Sequence, residues 1–374
     1  MSATVVIAAG GTAGHVYPGL ALADAIRRTD ANARVAFVGT SRGIEKDAVP
    51  AEGFPLHTIE VVPWARTLGA KRYLAPASLV GASGRARSLL RRLAPDIVVG
   101  MGGYASLPVV VGAWSKRIPA LLHEQNAIPG IANVVGARLA RRVALSFEEA
   151  ETRLPSGAET RLTGNPIRRS IAELDRGRVR DQAYAALDLD PSRKTVLVLG
   201  GSLGAARLND AVVELAERWK DRSDVQVLVS AGREHGTVLR ARIRTSETLV
   251  VRVLDYLERV ELAYAVADLA VCRAGAATIA ELSAVGIPAI LVPYPYARAN
   301  HQEANARALE RAGGARVILD SAATGSTLGH AVENLIADPA ERDAMAAAAA
   351  RFGRPHAADA LAAWTLELAG ANSG

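Results

Sequence analysis

The chain has 374 residues, of which 50% are apolar and 22% charged, and a formal net charge of +6. This composition is typical of a globular protein long enough for two domains, and it excludes a disordered chain. The single cysteine, Cys272, lies in a predicted buried strand, which excludes a disulfide scaffold and a cysteine-rich metal site. The positive charge indicates a polyanionic partner or an anionic membrane surface, without choosing between them.

No targeting or membrane-spanning segment is expected. Residues 1–6 lack the basic region of a signal peptide and lead directly into a strand. The longest uncharged runs are interrupted by glycine and proline, and they fall short of the roughly 20 apolar residues that a spanning helix needs. The single cysteine fits a reducing compartment.

Short apolar runs alternate with helix-like stretches through the first half of the chain. The predicted strands cover residues 5–9, 35–38, 97–99, 120–122 and 143–145. A break follows at residues 164–168, where Gly-Asn-Pro-Ile-Arg interrupts the alternation. This pattern predicts a doubly wound α/β domain over residues 1–164.

A second α/β domain is predicted over residues 165–354. After a charged helical stretch at 171–187, the predicted strands cover residues 196–199, 225–229, 250–253, 269–272 and 289–292. Both halves begin with an apolar strand, a Gly-Gly-(Thr/Ser)-x-Gly turn and a helix. We therefore predict two Rossmann-like domains facing each other across a cleft between the carboxyl edges of their sheets. The last helix, within residues 355–374, is expected to pack back on the first domain.

The stretch from residue 267 to residue 302 is predicted to be the centre of the site. A strand ends in a turn around Gly275, a helix follows, and the next strand begins at residue 289. The turn then lies at the carboxyl edge of a parallel sheet, where a helix N-terminus offers N–H groups and a positive dipole end to an anion. Glu281 lies about two turns into this helix, where its carboxylate is suited to accept hydrogen bonds from a sugar diol.

Three glycine-rich loops follow predicted strands, at residues 10–15, 101–106 and 200–204. Glycines allow backbone N–H groups to approach a phosphate closely. None of the loops matches the dinucleotide fingerprint, since Thr12 replaces its second glycine, and none has the lysine of a P-loop. One such loop is as readily a tight turn without a ligand, but three in one chain favour binding.

Polar residues also follow the strand at 120–122. Here His123, Glu124, Gln125 and Asn126 occur in succession. A lone histidine in this place is more often a hydrogen-bonded structural residue, but four consecutive polar groups favour a site at this edge of the sheet.

His15 lies at the predicted N-terminus of the first helix. The helix dipole there favours a neutral imidazole, which could act as a general base toward a hydroxyl. A simple capping role fits the position equally well.

No metal site is predicted. Asp188 and Asp190 match the acidic pair of metal-dependent sugar-nucleotide enzymes, but they precede a strand and so lie at the wrong edge of the sheet. The charge of a diphosphate would then have to be met by N–H groups, helix ends and polar side chains, with Arg168 and Ser202 as candidates.

Taken together, these motifs resemble those of the MurG family, and the resemblance covers nearly the whole chain. The motifs are GGTAGHVYPGLALA at 10–23, MGGYASLP at 101–108, HEQN at 123–126, GNPIR at 164–168, GGSLGA at 200–205, CRAGAATIAE at 272–281 and HQEAN at 301–305. Members of that family have the GT-B fold and transfer N-acetylglucosamine from UDP-N-acetylglucosamine to lipid I, the lipid-linked N-acetylmuramyl-pentapeptide of peptidoglycan synthesis. The resemblance implies an inverting glycosyltransferase that acts by direct displacement, without metal or cofactor.

The resemblance also implies a role for each candidate residue. Glu281 would hold the ribose hydroxyls of the donor, and Gln302 its sugar hydroxyls. The other donor contacts would come from Arg168, Ser202, Leu257, Ala276, Ala277 and Thr278, with Thr12, Ala13, Gly14 and Asn126 near the transfer point. The acceptor side would comprise Tyr104, His123, His15 and Glu124, with His15 as the base and Glu124 as its rival. The sequence departs from the family pattern at Ala274 and at residues 296–300, which concerns donor geometry more than reaction class.

Basic residues surround apolar ones between residues 71 and 117. The basic set is Lys71, Arg72, Arg85, Arg87, Arg91, Arg92, Lys116 and Arg117, and the apolar set is Leu74, Leu79, Val80, Leu89, Leu90 and Trp114. This pattern suits peripheral docking on an anionic membrane surface at the cytoplasmic face, although a helix packed on its own sheet with a solvated charged face would show it too. Proteins of cell-wall synthesis or division are further candidate partners. Nucleic acid is not, because aromatic residues are only 4% of the chain.

Two other functions stay open at this point. A UDP-N-acetylglucosamine 2-epimerase has the same two-domain fold, but that class uses carboxylates around the sugar. Here Glu281 is the only acidic residue associated with the turn around Gly275. A non-catalytic scaffold of the same fold would have no need of three glycine loops together with the HEQN cluster and His301-Gln302.

Overall fold

The computed structural model describes residues 2–61, 75–201, 204–244 and 246–371. The chain forms two compact units. The first unit comprises Met1–Arg168 together with His356–Gly374, and the second comprises Arg169–Pro355. Each unit is built on one parallel sheet with helices packed against it.

The first unit contains a seven-stranded sheet. Its strands are β1 (Thr4–Ala8), β2 (Arg34–Gly39), β3 (Leu56–Thr58), β4 (Ile97–Gly100), β5 (Ala120–Glu124), β6 (Arg142–Leu145) and β7 (Glu159–Leu162). They lie in the order β3-β2-β1-β4-β5-β6-β7, and every pairing is parallel. All five residues of β1 are buried, as expected for a central strand with helices on both faces.

Helices cover the two faces of this sheet with different sets of side chains. They are α1 (Ala13–Thr29), α2 (Glu45–Ala51), α3 (Ala75–Leu93), α4 (Ser106–Ser115) and α5 (Ile131–Ala140). Alternate residues of β1 point to opposite faces: Val5 and Ile7 pack with α1, whereas Val6 and Ala8 pack with α3, α4 and α5. The uninterrupted apolar sequence of the strand is thereby buried on both sides.

The second unit contains a six-stranded parallel sheet. Its strands are β8 (Lys194–Leu199), β9 (Val225–Ser230), β10 (Val250–Leu254), β11 (Leu269–Cys272), β12 (Ala289–Leu291) and β13 (Ala315–Val317), in the order β10-β9-β8-β11-β12-β13. Its helices are α6 (Arg169–Ala172), α7 (Arg176–Leu187), α8 (Ala206–Arg218), α9 (Gly236–Arg242), α10 (Val260–Val266), α11 (Ala276–Val285), α12 (His301–Arg311), α13 (Gly325–Ala337) and α14 (Pro339–Phe352).

The C-terminal helix α15 (Ala357–Gly370) belongs to the first unit, where it packs against α1. Trp364 is 2% exposed and lies in the same core as β1, and the guanidinium of Arg161 lies 4.4 Å from its ring centroid. An ion pair of 2.7 Å between Arg28 and Asp359 ties the two helices together at the surface. The last turns of the chain therefore complete the core of the first unit.

The predicted doubly wound α/β architecture is confirmed, with corrections at the sheet edges. Each of the ten predicted strands is present, and β11 has the predicted bounds. Three short strands were not predicted: β3, β7 and β13, and each lies at the edge of its sheet. An edge strand is covered on fewer sides, so its sequence need not be a continuous apolar run; β7 alternates between exposed and half-buried residues.

The glycine loops lie where the strand order reverses. In the first unit β1 lies between β2 and β4, and in the second β8 lies between β9 and β11. The loops after β1 and β4 therefore meet at one carboxyl edge, and the loops after β8 and β11 meet at the other. Such reversal points are where open α/β sheets bind ligands.

Candidate functional site

The first glycine loop leads directly into α1 and places His15 at its start. Thr12 is the N-cap residue, in an extended conformation, and its Oγ1 lies 2.9 Å from His15 Nδ1. The first turn of α1 has no acidic residue, so its dipole is open to an anion. The main-chain N–H groups of Ala13 and Gly14 have no hydrogen-bond partner within the described chain. This loop therefore presents an imidazole and two donors side by side.

The second glycine loop, residues 101–106, closes around His15. Gly102 and Gly103 have φ angles of +84° and +79°, a region that favours glycine. A Cβ added to Gly103 would overlap the Gly10 carbonyl oxygen, and one added to Gly102 would lie 2.9 Å from His15 Cδ2. The two loops thus interlock, and neither glycine leaves room for a side chain. Tyr104, 36% exposed, lies beside Gly11 on the same surface.

His123, which the resemblance places on the acceptor side, is buried in the first sheet. It is the fourth residue of β5 and is 0% exposed. Its Nε2 lies 3.0 Å from the Gly164 carbonyl oxygen, and its Nδ1 lies 3.0 Å from Gln125 Nε2. Burial lowers the pKa of His123 to about 4, and the charge of His15 adds to the effect, while the bond to Gly164 opposes it. His123 is therefore a neutral residue that holds the GNPIR segment against β5.

Glu124 is also buried, and its carboxylate is occupied by the loop that follows β5. Oε1 accepts hydrogen bonds from the main-chain and side-chain nitrogens of Asn126, and Oε2 accepts from Gly130 N and Asn133 Nδ2. Burial raises the pKa of Glu124, and these hydrogen bonds oppose that rise. Since both oxygens are engaged and the side chain is 2% exposed, the arrangement suits a residue that orients Asn126 better than a base.

Glu45 is a buried carboxylate that the sequence analysis missed. It is the first residue of α2 and is 0% exposed. Its oxygens accept hydrogen bonds from Gly11 N at 3.1 Å, Thr40 N at 2.9 Å and Thr40 Oγ1 at 2.7 Å. The sequence offered one signal for a buried side chain here, the nearby glycines. Gly39 and Gly43 both pack against the Glu45 side chain.

Arg168 lies at the end of the first unit, close to α1. Its guanidinium carbon is 5.7 Å from the centroid of the Tyr17 ring. This contact keeps the cation near the start of α1, the helix that carries His15. The other predicted diphosphate contact, Ser202, lies outside the described residues.

In the second unit, α11 presents an uncapped N-terminus at the carboxyl end of β11. Gly275 is its N-cap residue, no side chain caps it, and its first turn contains no acidic residue. The N–H groups of Ala276, Ala277 and Thr278 have no partner within the described part of the chain. They offer three aligned donors, with the positive end of the helix dipole behind them.

Glu281 lies on α11, about one turn beyond these N–H groups. Its carboxylate is half-buried, and its Oε2 accepts a 2.8 Å hydrogen bond from the hydroxyl of Tyr264. Tyr264 belongs to α10 and is 1% exposed. Sequence reasoning missed Tyr264, since nothing in its local pattern separates it from a core residue of α10.

Leu257 lies in the loop between β10 and α10, and Gln302 is the second residue of α12. The Leu257 side chain is 9% exposed, and within the described chain its main-chain N–H and C=O have no hydrogen-bond partner. The side-chain oxygen of Gln302 accepts from Tyr294 N at 2.9 Å, which leaves its amide nitrogen as a donor. Both therefore keep polar groups available in the second unit.

The two departures from the family pattern lie close to these groups. Ala274 is 0% exposed, and its carbonyl oxygen accepts a hydrogen bond from Asn305. In the loop before α12, Ala299 and Asn300 are left-handed, with φ angles of +51° and +56°. Tyr296, in the same loop, is 83% exposed.

The acidic pair considered for a metal lies at the amino end of β8, as predicted. Asp188 forms an ion pair with Arg252, and Asp190 accepts from Ser192 and Arg193. The hydrogen bonds from Ser192 and Arg193 lower the pKa of Asp190 to about 2. Both carboxylates therefore have structural partners.

Comparison with known proteins places both units in one family. Residues 5–145 match the Glycosyltransferase family 28 N-terminal domain, and residues 195–361 match the Glycosyltransferase family 28 C-terminal domain. A protein of Halothermothrix orenii named UDP-N-acetylglucosamine--N-acetylmuramyl-(pentapeptide) pyrophosphoryl-undecaprenol N-acetylglucosamine transferase is 40% identical over 364 residues, covering 96% of each chain. The chain belongs to the MurG family. The crystal structure of Acinetobacter baumannii MurG is similar over 98% of this chain and 100% of that one, with 28% identity and a TM-score of 0.79.

The same fold also occurs in proteins outside the MurG family. A UDP-GlcNAc 2-epimerase from Neisseria meningitidis, solved with UDP-GlcNAc bound, has a TM-score of 0.67 over 97% of this chain and 99% of its own, at 11% identity. At that identity the likeness shows the GT-B fold alone. The MurG match, by contrast, rests on sequence along both units.

Proposed function

We propose that this chain catalyses the transfer of N-acetylglucosamine from UDP-N-acetylglucosamine to the 4-hydroxyl of the N-acetylmuramyl residue of lipid I, which gives lipid II. The observation that carries the proposal is the uncapped N-terminus of α11 with Glu281 behind it, in a chain of the MurG family. The three free N–H groups fit the diphosphate of a nucleotide sugar, and the carboxylate fits the ribose diol.

The leaving group determines what the second unit has to do. When the bond between the anomeric carbon and the diphosphate breaks, the electron pair goes to UDP, whose negative charge increases. The N–H groups of Ala276, Ala277 and Thr278 and the dipole of α11 stabilise that charge without reorganising. Arg168 and Ser202 remain candidates for further diphosphate contacts. In the same proposal, Leu257 meets the uracil through its backbone, and Gln302 donates to a sugar hydroxyl.

His15 is the proposed base. The acceptor 4-hydroxyl attacks the anomeric carbon, and its proton passes to His15 as the new bond forms. If His15 Nδ1–H donates to Thr12 Oγ1, 2.9 Å away, Nε2 keeps its lone pair for that proton. Glu124, the rival, already accepts hydrogen bonds at both oxygens and is assigned to orienting Asn126. Tyr104, exposed beside the first loop, is the proposed acceptor contact.

The test is a transfer assay with radiolabelled UDP-N-acetylglucosamine and a short-chain lipid I analogue in EDTA. We expect label in the lipid product, with the opposite anomeric configuration to the donor. Conversion of the donor to its 2-epimer without lipid labelling would favour the isomerase instead. Donor binding without either reaction would favour a scaffold. A His15→Ala variant that binds donor but does not transfer would support the base assignment.

A membrane surface is the second part of the proposal. Helices α3, α4 and α5 pack side by side on one face of the first sheet and contain no aspartate or glutamate. Exposed apolar residues on them are Val80, Trp114, Ile131 and Val135. The exposed basic residues on them are Arg85, Arg87, Arg91, Arg92 and Arg138, and Arg117 follows α4 directly after its C-cap. Exposed apolar side chains interspersed with arginines, on helices without carboxylates, suit an anionic bilayer.

The structure corrects part of the predicted membrane patch. Leu89 and Leu90 are 6% and 1% exposed and belong to the core beneath the helices. Lys71, Arg72 and Leu74 lie outside the described residues. Among those described, no helix combines the length and apolar character that crossing a bilayer requires.

Vesicle flotation tests the membrane proposal. The wild-type protein should float with vesicles rich in phosphatidylglycerol and not with phosphatidylcholine vesicles, and salt should weaken the binding. Trp114→Gln should reduce flotation strongly. Val238→Gln is the matched control, because Val238 is also 59% exposed but lies on the second unit. Equal flotation of the wild-type protein and the Trp114 variant would contradict the assignment of this face.

A further inference from the structure

The Glu45 carboxylate has no part in the proposed chemistry, yet it is completely buried against the first glycine loop. A buried carboxylate is costly unless hydrogen bonds replace its hydration. Here three donors do so: Gly11 N to Oε2, and Thr40 N and Thr40 Oγ1 to Oε1. The side chain therefore joins the loop after β1 to the loop after β2.

The surroundings of Glu45 are built from glycine. A Cβ added to Gly10 would lie 2.8 Å from Glu45 Oε1, one added to Gly39 would lie 2.7 Å from its Cγ, and one added to Gly43 would overlap the carboxylate. Ordinary Cβ contacts are longer than 3.4 Å. The carboxylate thus fills a space that these positions leave open, and it has little freedom to move.

On the other side of Gly10 lies the second glycine loop. A Cβ on Gly103 would overlap the Gly10 carbonyl oxygen, and one on Gly102 would lie 2.9 Å from His15 Cδ2. Gly10 and Gly11 are therefore held from both sides, by the Glu45 carboxylate and by the loop that closes on His15. Thr12 and His15 follow directly in the chain.

We infer that Glu45 is a positioning residue for sugar transfer. It fixes the Gly11 amide, and through it the direction in which Thr12 and His15 enter α1. Because its carboxylate also accepts the hydrogen bond of the Gly11 N–H, the N–H groups that the first loop offers to a ligand are those of Ala13 and Gly14. This inference rests on the proposed role of His15, and Glu45 itself touches no reacting atom.

Glu45→Gln tests the inference with almost no change in volume. An amide has one acceptor oxygen, so its NH₂ group must face either the Gly11 N–H or the two donors of Thr40. We expect kcat to fall about 10- to 100-fold, because a small displacement of a catalytic group has an effect of that order. The KM and Kd for UDP-N-acetylglucosamine should stay within about twofold of wild type, since the N–H groups of α11 that are proposed to bind this substrate lie in the other unit.

Thr40→Val is the matched control. It removes one hydrogen bond to the same buried carboxylate but leaves the bond to Gly11 intact. Its kcat should stay close to wild type even if its melting temperature falls as much as that of Glu45→Gln. If Glu45→Gln does not give folded protein, Glu45→Asp is the second variant. It withdraws the carboxylate by one methylene and should likewise lower kcat while leaving KM nearly unchanged.

A double-mutant cycle with His15→Ala completes the test. If Glu45 acts through His15, Glu45→Gln should not lower kcat further in the His15→Ala background. Additive losses, equal kcat losses in the Glu45 and Thr40 variants, or wild-type kcat in Glu45→Gln would each overturn the inference. These results are distinct from a failure of the proposed function, in which the wild-type protein would not transfer sugar to the lipid at all.

Discussion

The hydroxyl of Tyr264 donates a 2.8 Å hydrogen bond to Glu281 Oε2, and it does so from a ring that is 1% exposed. The partner carboxylate is half-buried on α11, and the tyrosine belongs to α10. A rigid, buried donor restricts the rotamers of the carboxylate before any ligand arrives. The residue proposed to recognise ribose is therefore pre-organised, so less side-chain conformational entropy is lost when UDP-N-acetylglucosamine binds.

This pair predicts a graded loss of donor affinity. Glu281→Ala should weaken binding of UDP-N-acetylglucosamine greatly, by about 1.5–3 kcal/mol, the range for hydrogen bonds to a charged group. Tyr264→Phe should weaken it less, by about 0.5–1.5 kcal/mol, because the carboxylate remains but is less well oriented. Isothermal titration calorimetry measures both.

The control for Tyr264 is Tyr184→Phe. Tyr184 is also buried in the second unit, at 4% exposure, and its hydroxyl accepts a hydrogen bond from Arg180 on the same helix, α7. Its loss should leave donor affinity unchanged. Unchanged affinity in Glu281→Ala would remove that residue from the site.

The glycine at position 103 predicts a second outcome. Gly103→Ala should lower the free energy of unfolding by roughly 3 kcal/mol or more, because it combines a left-handed alanine with overlap on the Gly10 carbonyl. It should also abolish transfer, since the loop that closes on His15 must move. Chemical denaturation and the transfer assay measure the two effects.

Gly53→Ala separates backbone strain from crowding. Gly53 has a similar φ of +74°, but a Cβ added there meets no atom within 4 Å. The expected loss of stability is about 1–2 kcal/mol, the cost of a left-handed alanine, with transfer retained. Equal losses in the two variants would show that the contact between the glycine loops is unimportant.

The central strands and the glycine turns could be predicted from the sequence, because burial on both faces requires continuous apolar runs. The strand Leu269–Cys272 was predicted at both ends for this reason. The strand β13 (Ala315–Val317) was not, since an edge strand of three residues carries too little pattern. Hydrophobic periodicity reports on burial, and it is weakest where the sheet ends.

The site was predicted less completely than the fold, because polar site residues do not recur at regular intervals in the sequence as buried apolar residues do. The resemblance placed His123 on the acceptor side. The strand before it was predicted to end at residue 122, whereas β5 continues through Glu124 and buries both residues. Glu45 was missed because it lies in a charged segment, Glu45-Lys46-Asp47, that resembles a solvated helix face. Which member of such a segment is buried depends on tertiary contacts, here those with Gly11 and Thr40.

His123 predicts a pH dependence of stability. In the unfolded chain the imidazole takes up a proton near pH 6.5, whereas burial holds the pKa of His123 in the fold at about 4. Between these values the unfolded state binds more protons, so stability falls as the pH drops from about 6.5 to about 4, by on the order of 3 kcal/mol. Above pH 6.5 both states are neutral and this contribution vanishes.

The comparison of wild type with His123→Gln isolates this contribution. The variant should be less stable at pH 7, because it disturbs the bonds to Gly164 and Gln125, but its stability should fall less steeply below pH 6.5. Glu124 contributes with the opposite sign, since its pKa is raised, and it is present in both proteins. His356→Gln, at a side chain 84% exposed, is the control. Parallel stability curves for wild type and His123→Gln would contradict the prediction.

Cys272, the single cysteine, should be unreactive in the folded protein although it lies three residues before Gly275. It is 0% exposed at the end of β11, and burial raises the pKa of its thiol from 9.0 to about 12. At pH 8 the thiolate fraction is then about 1000-fold lower than for an unperturbed thiol, and the thiolate is the reactive form. Titration with a thiol reagent should therefore detect almost no cysteine in the native protein and one after denaturation. Rapid labelling of the native protein, blocked by UDP-N-acetylglucosamine, would instead show that β11 opens at the donor site on the timescale of the assay.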